Sequence, residues 1–215
     1  MNHPFRCRCG AVTGHVANPH LTNHSVCYCE DCQAFIRFLG REAELLDARG
    51  GSEGVQVLPK DVRFETGFER LATLRLSPKG MVRWYATCCS TPIGGTPPTA
   101  KLPFAGLSRA CLENAAPSVE QSFGPVRFCV FTAGARGDPK PRRFGVAGFV
   151  LWMIGNRLRA RLTGGFRQNP FFDTATDRPL VEPRVLTPAE RGRLGATVRE
   201  VRAPPRELAQ GAGCG

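Results

Sequence analysis

Three cysteines fall within six positions of VCYCEDCQAF, Val26 to Phe35: Cys27, Cys29 and Cys32. In a strand that ends in a tight turn, the C-x-C spacing sets two thiols on the same side. The C-x-x-C spacing then brings the third round to meet them. Three converging thiolates suit Zn2+, a borderline-soft ion that prefers a tetrahedral shell. Disulfides between such near neighbours would be strained. Free cysteines often fill cores, but three in six positions favour a metal over packing.

A second pair, Cys7 and Cys9 in CRCG, has the same local geometry and cannot complete a zinc shell alone. Its partners must lie elsewhere, and Cys88 and Cys89 in TCCST are the candidates. Adjacent side chains usually point apart, so either both are ligands or one turns into the core. Four thiolates close a structural site, whereas three leave a position for water or substrate. An open zinc lowers the pKa of a bound thiol or water and generates a nucleophile at neutral pH. The expectation is two zinc ions: a structural one on Cys7, Cys9, Cys88 and Cys89, and an open, catalytic one on Cys27, Cys29 and Cys32.

The remaining chemistry-bearing residues are less informative. Cys111, Cys129 and Cys214 are isolated; Cys129 sits in an apolar strand and reads as core. His3, His15, His20 and His24 all fall in the first quarter without helical ligand spacing. His24 is near enough to Cys27 to support a ligand, though an ordinary polar role is the expectation. Glu30 and Asp31, between the ligands, belong to a solvated turn or assist proton transfer. No phosphate-loop, dinucleotide or nucleophile-elbow motif is present, and no catalytic residue is assigned.

The elements that must hold these thiols are mostly short. Gly and Pro make 42 of 215 residues, which favours strands and turns over long helices. GAVTGHV (10–16) and HSVCY (24–28) read as strands. QAFIRFL and REAELLDA read as helices. VQVLP and VRFETG are further strands. LATLRLS and MVRWYA form a hairpin about PKG, with Ala72, Leu74 and Leu76 alternating along one strand and Val82 and Trp84 along the next. It delivers the chain to the turn-rich TCCSTPIGGT, and VRFCVFT (126–132) is a later strand. The first domain, 1–133, is thus a zinc-binding, mainly β unit.

From residue 134 to 215 the chain reads as a basic extension. It comprises the linker GARGDPKPRR, a helix over Phe144 to Leu162 that starts apolar and ends basic, a proline-punctuated extended segment, and a polar tail ending in a disordered QGAGCG. Within that tail PAERGRLGATVREV is a weak helix. Residues 1–100 hold 11 basic and 9 acidic side chains, and residues 101–215 hold 18 and 9. The formal charge of +11 is therefore carried by the second half. With ten cysteines and no secretory signal or spanning segment, the sequence points to a reducing, cytoplasmic setting in which thiols serve metals or catalysis.

CRCGAV, then CYCEDCQAF, then a β region running to RWYATCCSTPI resemble the glutathione-dependent formaldehyde-activating enzyme and centromere protein V family, over roughly residues 3 to 110. The resemblance implies an Mss4-like β-tent of small antiparallel sheets around zinc. It also implies a carbon–sulfur lyase acting on adducts of glutathione, or a similar thiol, with formaldehyde or another small aldehyde. Cys7 and Cys9 match half of that family's structural zinc site, and Cys27, Cys29 and Cys32 its substrate-side zinc site. The family closes the structural site with a C-x-x-C-G pair. Here Ala86 and Tyr85 stand three places before Cys89 and Cys88, so Cys88 and Cys89 together must substitute. Arg37 or Arg83 would hold a substrate carboxylate.

A function of a different class is a non-catalytic, zinc-scaffolded binding module. Its Arg-rich second half would contact nucleic acid or an anionic membrane, since PKPRRFGVAGFVLWMIGNRLRARL has the apolar-then-basic pattern of an interfacial helix. Against that stands a core helix with a solvated basic end.

Overall fold

The computed structural model describes residues 2–113, 116–162 and 164–195. Cys214, the expected disordered end and the second half of PAERGRLGATVREV lie outside them.

In chain order the first elements are β1 (His3–Arg6), β2 (Thr13–Val16), β3 (Asn23–Cys27), α1 (Glu30–Phe38), α2 (Glu42–Leu45), β4 (Ser52–Val57) and β5 (Val62–Thr66). Then come β6 (Leu71–Arg75), β7 (Val82–Ala86), β8 (Thr91–Thr96), β9 (Ala105–Ser108), α3 (Arg109–Leu112), α4 (Val119–Phe123) and β10 (Phe128–Val130). The last are α5 (Val146–Leu162), β11 (Phe172–Asp173), β12 (Arg178–Pro179), β13 (Arg184–Val185) and α6 (Pro188–Arg193). The architecture is mainly β, in sheets dominated by antiparallel pairs, with few helices that are short except for α5.

An eight-stranded sheet runs in the order β10-β3-β4-β9-β8-β7-β6-β13, and a three-stranded sheet in the order β1-β2-β5. Both edge pairs of the larger sheet, β10 with β3 and β13 with β6, are parallel. The expected β6–β7 hairpin forms with Leu71 opposite Ala86 and Leu74 opposite Arg83.

Side chains alternate across a strand, and both faces of this hairpin are covered. Val82, Trp84 and Ala86 face the larger core with Phe5, Val12, Val55 and Ile93. Leu74 and Leu76 face the other way, onto Phe35, Ile36 and Leu39 of α1. Leu74 and Trp84 therefore lie on opposite faces. Arg83 and Tyr85 share the α1 face, and Tyr85 meets Phe35 and Phe38 edge-on.

TCCSTPIGGT, expected as turn-rich, turns at its start and then forms the interior strand β8 over Thr91–Thr96. A β-carbon on Gly94 would stand 2.2 Å from the Gly106 carbonyl oxygen, so glycine here permits close approach to β9 rather than a turn.

Residues beyond 133, read as an extension, contribute to the same sheet and core. β13 pairs with β6, and Phe171 is fully buried against Trp84, with ring centroids 5.1 Å apart. Leu186 joins the α1 cluster.

Candidate metal centres

The first cysteine group forms where two turns meet. Cys7 and Cys9 occupy the turn after β1. There the Cys7 amide donates to the Val12 carbonyl at 3.0 Å, the Gly10 amide donates to the Cys7 carbonyl at 2.9 Å, and the Val12 amide donates to Cys7 Sγ at 3.3 Å. Cys88 and Cys89 occupy the turn between β7 and β8, opposite them.

All four Sγ atoms lie within 4.8 Å of one another. Cys7 to Cys9 is 3.5 Å, Cys9 to Cys88 3.2 Å, Cys7 to Cys88 3.9 Å and Cys88 to Cys89 3.8 Å. A tetrahedral shell with metal–sulfur bonds of about 2.3 Å has sulfur–sulfur edges of about 3.8 Å, so this donor set fits one cation. Cys88 and Cys89 both turn into the group, which resolves the alternatives left open for adjacent residues.

Thr91 ties the two turns together. Its Oγ1 accepts from the Arg8 amide at 3.0 Å and lies 3.1 Å from Cys89 Sγ. Burial opposes charge on Cys89, but hydrogen bonds to Thr91 and to the Cys9 backbone and side chain bring its thiol down to about 6. Burial and the neighbouring thiols push Cys88 up to about 12.

The second group is built on the junction of β3 with α1. Cys27 ends the strand, Cys29 is the helix N-cap and Cys32 lies in the first turn. Their Sγ atoms lie within 4.8 Å of one another, with Cys27 and Cys32 3.7 Å apart. Cys29 Sγ accepts from the Cys32 amide at 3.3 Å, in the manner of a capping oxygen. The helix N-terminus favours negative charge on these sulfurs.

Arg83 reaches the group from β7, with Nη1 3.7 Å from Cys32 Sγ and its guanidinium 5.9 Å from the centre of the Phe35 ring. Hydrogen bonds to Cys27 and Cys29, helped by Arg83, hold the Cys32 thiol well below its ordinary value despite burial. Hydrogen bonds to Cys29 and Cys32 push Cys27 far up, and burial adds to this. The downward shift thus falls on Cys32, the sulfur that Arg83 reaches.

Other expected participants are placed elsewhere. Arg37 is tied into the fold, donating to the Leu194 carbonyl at 2.7 Å, Gln33 Oε1 at 3.1 Å and Glu42 at 3.3 Å. Asp31 accepts from Arg191 at 3.1 Å. His24 is buried against Glu53 and the Gly124 carbonyl rather than supporting Cys27. Among the described residues no histidine belongs to either cysteine group. Cys111 and Cys129 are buried, and all nine described cysteines are unpaired.

Gln33 is a residue that sequence reasoning missed. Its Nε2 donates to the Tyr28 carbonyl at 3.0 Å and to the Gly134 carbonyl at 2.9 Å, fixing the loop between Cys27 and Cys29. One partner is 101 residues away, so no local pattern could have announced it.

A cavity of about 290 Å3 opens beside Val26, lined by Glu44, Asp47, Glu53, Arg109 and Glu113 among others; none of the thiols lines it. Its carboxylates suit no anionic thiol substrate.

Fold and site together define a mainly β protein with two cysteine groups, each able to hold a metal ion. The chain belongs to a family of unknown function, DUF6151, which it matches over residues 2–176. No curated protein matches it.

Proposed function

We propose that this chain binds two zinc ions and that Cys27, Cys29 and Cys32 are the seat of a carbon–sulfur lyase reaction. The substrate would be the adduct of glutathione, or another small thiol, with formaldehyde or a similar small aldehyde. The observation that carries this reading is the unequal donor count: four converging thiols in one group and three in the other. Four close a tetrahedral shell, and three leave a position for an exchangeable ligand. The likeness of CRCGAV and CYCEDCQAF to the formaldehyde-activating family supplies the substrate class.

Zinc at the three-thiol group would supply Lewis acidity and stabilise a thiolate at neutral pH. In the cleavage direction the carbon–sulfur bond breaks with its electron pair on sulfur. The adduct's hydroxyl gives up its proton as the carbonyl forms, and the free thiol takes one up. Arg83, 3.7 Å from Cys32 Sγ, is the chain's own cation at the place where a negative sulfur or a substrate carboxylate would sit. The helix N-terminus at Cys29 adds to the same field. Cys7, Cys9, Cys88 and Cys89 would hold the structural ion. Unpaired cysteines throughout the described chain support a reducing compartment such as the cytoplasm.

Metal analysis of the purified protein beside Cys29→Ser and Cys89→Ser tests the sites. Two zinc ions should fall to one in Cys29→Ser with the fold kept, and an unchanged count would undo the assignment. Folded, zinc-loaded protein should accelerate formation or breakdown of a thiol–aldehyde adduct, and Cys29→Ser should lose that acceleration. A folded, loaded protein inert toward every small thiol and aldehyde pair would leave the alternative, a non-catalytic zinc scaffold for an Arg-rich binding surface.

A further inference from the structure

Helix α5 carries two apolar stripes and only one is packed. Phe149 stacks on Phe128 with ring centroids 4.6 Å apart, and Trp152 Nε1 donates to the Leu21 carbonyl at 2.9 Å. Asn156 and Ala160, on the same face, are buried. On the opposite face Leu151, Ile154, Leu158 and Leu162 are 70, 61, 57 and 79% exposed. Their spacing of three, four and four residues makes a continuous ridge. The helix is neither a core helix nor a uniformly solvated one.

Charge decides what this ridge fits. Arg157 and Arg161 are exposed beside it, and Arg142 and Arg143 are exposed just before the helix. From Pro139 to Phe172 the chain holds seven basic residues and no acidic one. A second copy of the chain would set these cations against their own kind. An antiparallel pairing brings Arg157 and Arg161 toward Arg142 and Arg143, a parallel one brings them toward themselves, and no carboxylate in the segment neutralises either. Nucleic acid would satisfy the arginines and gain nothing from four large aliphatic side chains. A lipid surface with anionic headgroups takes both, the ridge entering the acyl boundary and the arginines meeting phosphates.

We propose that α5 is an in-plane membrane anchor that docks the protein on an anionic lipid bilayer. No helix of the described chain is long and apolar enough to cross a membrane, and the 17 residues of α5 lie along the surface instead. The proposal is independent of the lyase reading, because none of its residues touches either cysteine group.

The test is co-sedimentation of the full, metal-loaded chain with phosphatidylcholine vesicles, with and without phosphatidylglycerol. Binding should require the anionic lipid and weaken as salt rises. Leu151→Gln/Leu158→Gln should abolish it, and Arg157→Gln/Arg161→Gln should weaken it about thirty-fold, at roughly a factor of five per cation. All four side chains are exposed, and unchanged metal content and circular dichroism would show that the variants remain folded.

Equal binding by the leucine variant, or equal binding to neutral vesicles, would overturn the proposal. So would absence of vesicle binding accompanied either by a dimer that Leu151→Gln/Leu158→Gln dissociates, or by duplex DNA binding that needs only the arginines.

Discussion

His24 shows how one residue's charge is fixed by its partners. Its ring is 1% exposed, yet both nitrogens face acceptors: Nδ1 meets the Gly124 carbonyl at 2.8 Å and Nε2 meets Glu53 at 2.6 Å. A ring that must donate twice is an imidazolium. Burial alone would lower its pKa, but the hydrogen bonds to Glu53 and Gly124 and the Glu53 charge outweigh it and raise the value. Arg109 backs Glu53 at 2.6 Å while reaching Glu113 and Glu120. Because the folded value is raised, this charge stabilises the fold fully below the unfolded pKa of about 6.5. That contribution is lost as pH climbs through the folded value. His24→Gln should cost about 1–3 kcal/mol in the acid range and progressively less above it, as denaturant titrations at a series of pH values would show. His3 is the opposite case: Nδ1 meets the Ser122 hydroxyl, Nε2 meets the Leu112 carbonyl, and burial lowers its pKa. Neither role was legible locally, since Glu53 lies 29 residues from His24 and Leu112 lies 109 from His3.

Among the elements, those with strong periodicity or capping chemistry could be read and those made by tertiary contact could not. The β6–β7 hairpin follows from alternation around a Pro/Gly turn. The start of α6 follows from TPAE, whose Thr187 and Glu190 form a reciprocal capping box. Alternation did not tell which face was which, because both faces of the hairpin are buried. β8 hid behind Gly94 and Gly95, which serve close packing rather than a bend: a β-carbon on Gly94 would meet β9, and one on Gly95 would meet Arg83 of β7. Gly94→Ala should therefore destabilise the fold by at least about 1–3 kcal/mol through overpacking against the Gly106 carbonyl; a Tm unchanged from wild type would contradict this. The two-residue strands β11, β12 and β13 have no sequence period to detect, and their pairing partners dictate them.

At the scale of the whole molecule, the cysteine groups were the most legible feature and the placement of the second half the least. Cys27, Cys29 and Cys32 are defined by local spacing. The meeting of Cys7 and Cys9 with Cys88 and Cys89 needed the β1–β2 and β7–β8 turns to be brought together. The basic composition after residue 133 concealed Phe171, which packs on Trp84 and Phe64 inside the main core. Phe171→Ala should cost about 3–5 kcal/mol, measured by chemical denaturation, and a small loss would mean that the second half does not complete the core.

The two groups also differ in the length of chain they enclose. Cys9 and Cys88 are 79 residues apart, whereas Cys27 and Cys32 are 5 apart. A link across the longer interval restricts the unfolded chain by about 4.5 kcal/mol, and one across the shorter by about 2 kcal/mol, on loop-closure arithmetic. The long loop contains the whole of the short one, together with Arg83. An ion held by the first group would thus be a clasp closed around the second: emptying the inner group would leave the clasp shut, while opening the clasp would loosen the frame that holds Arg83 against Cys32.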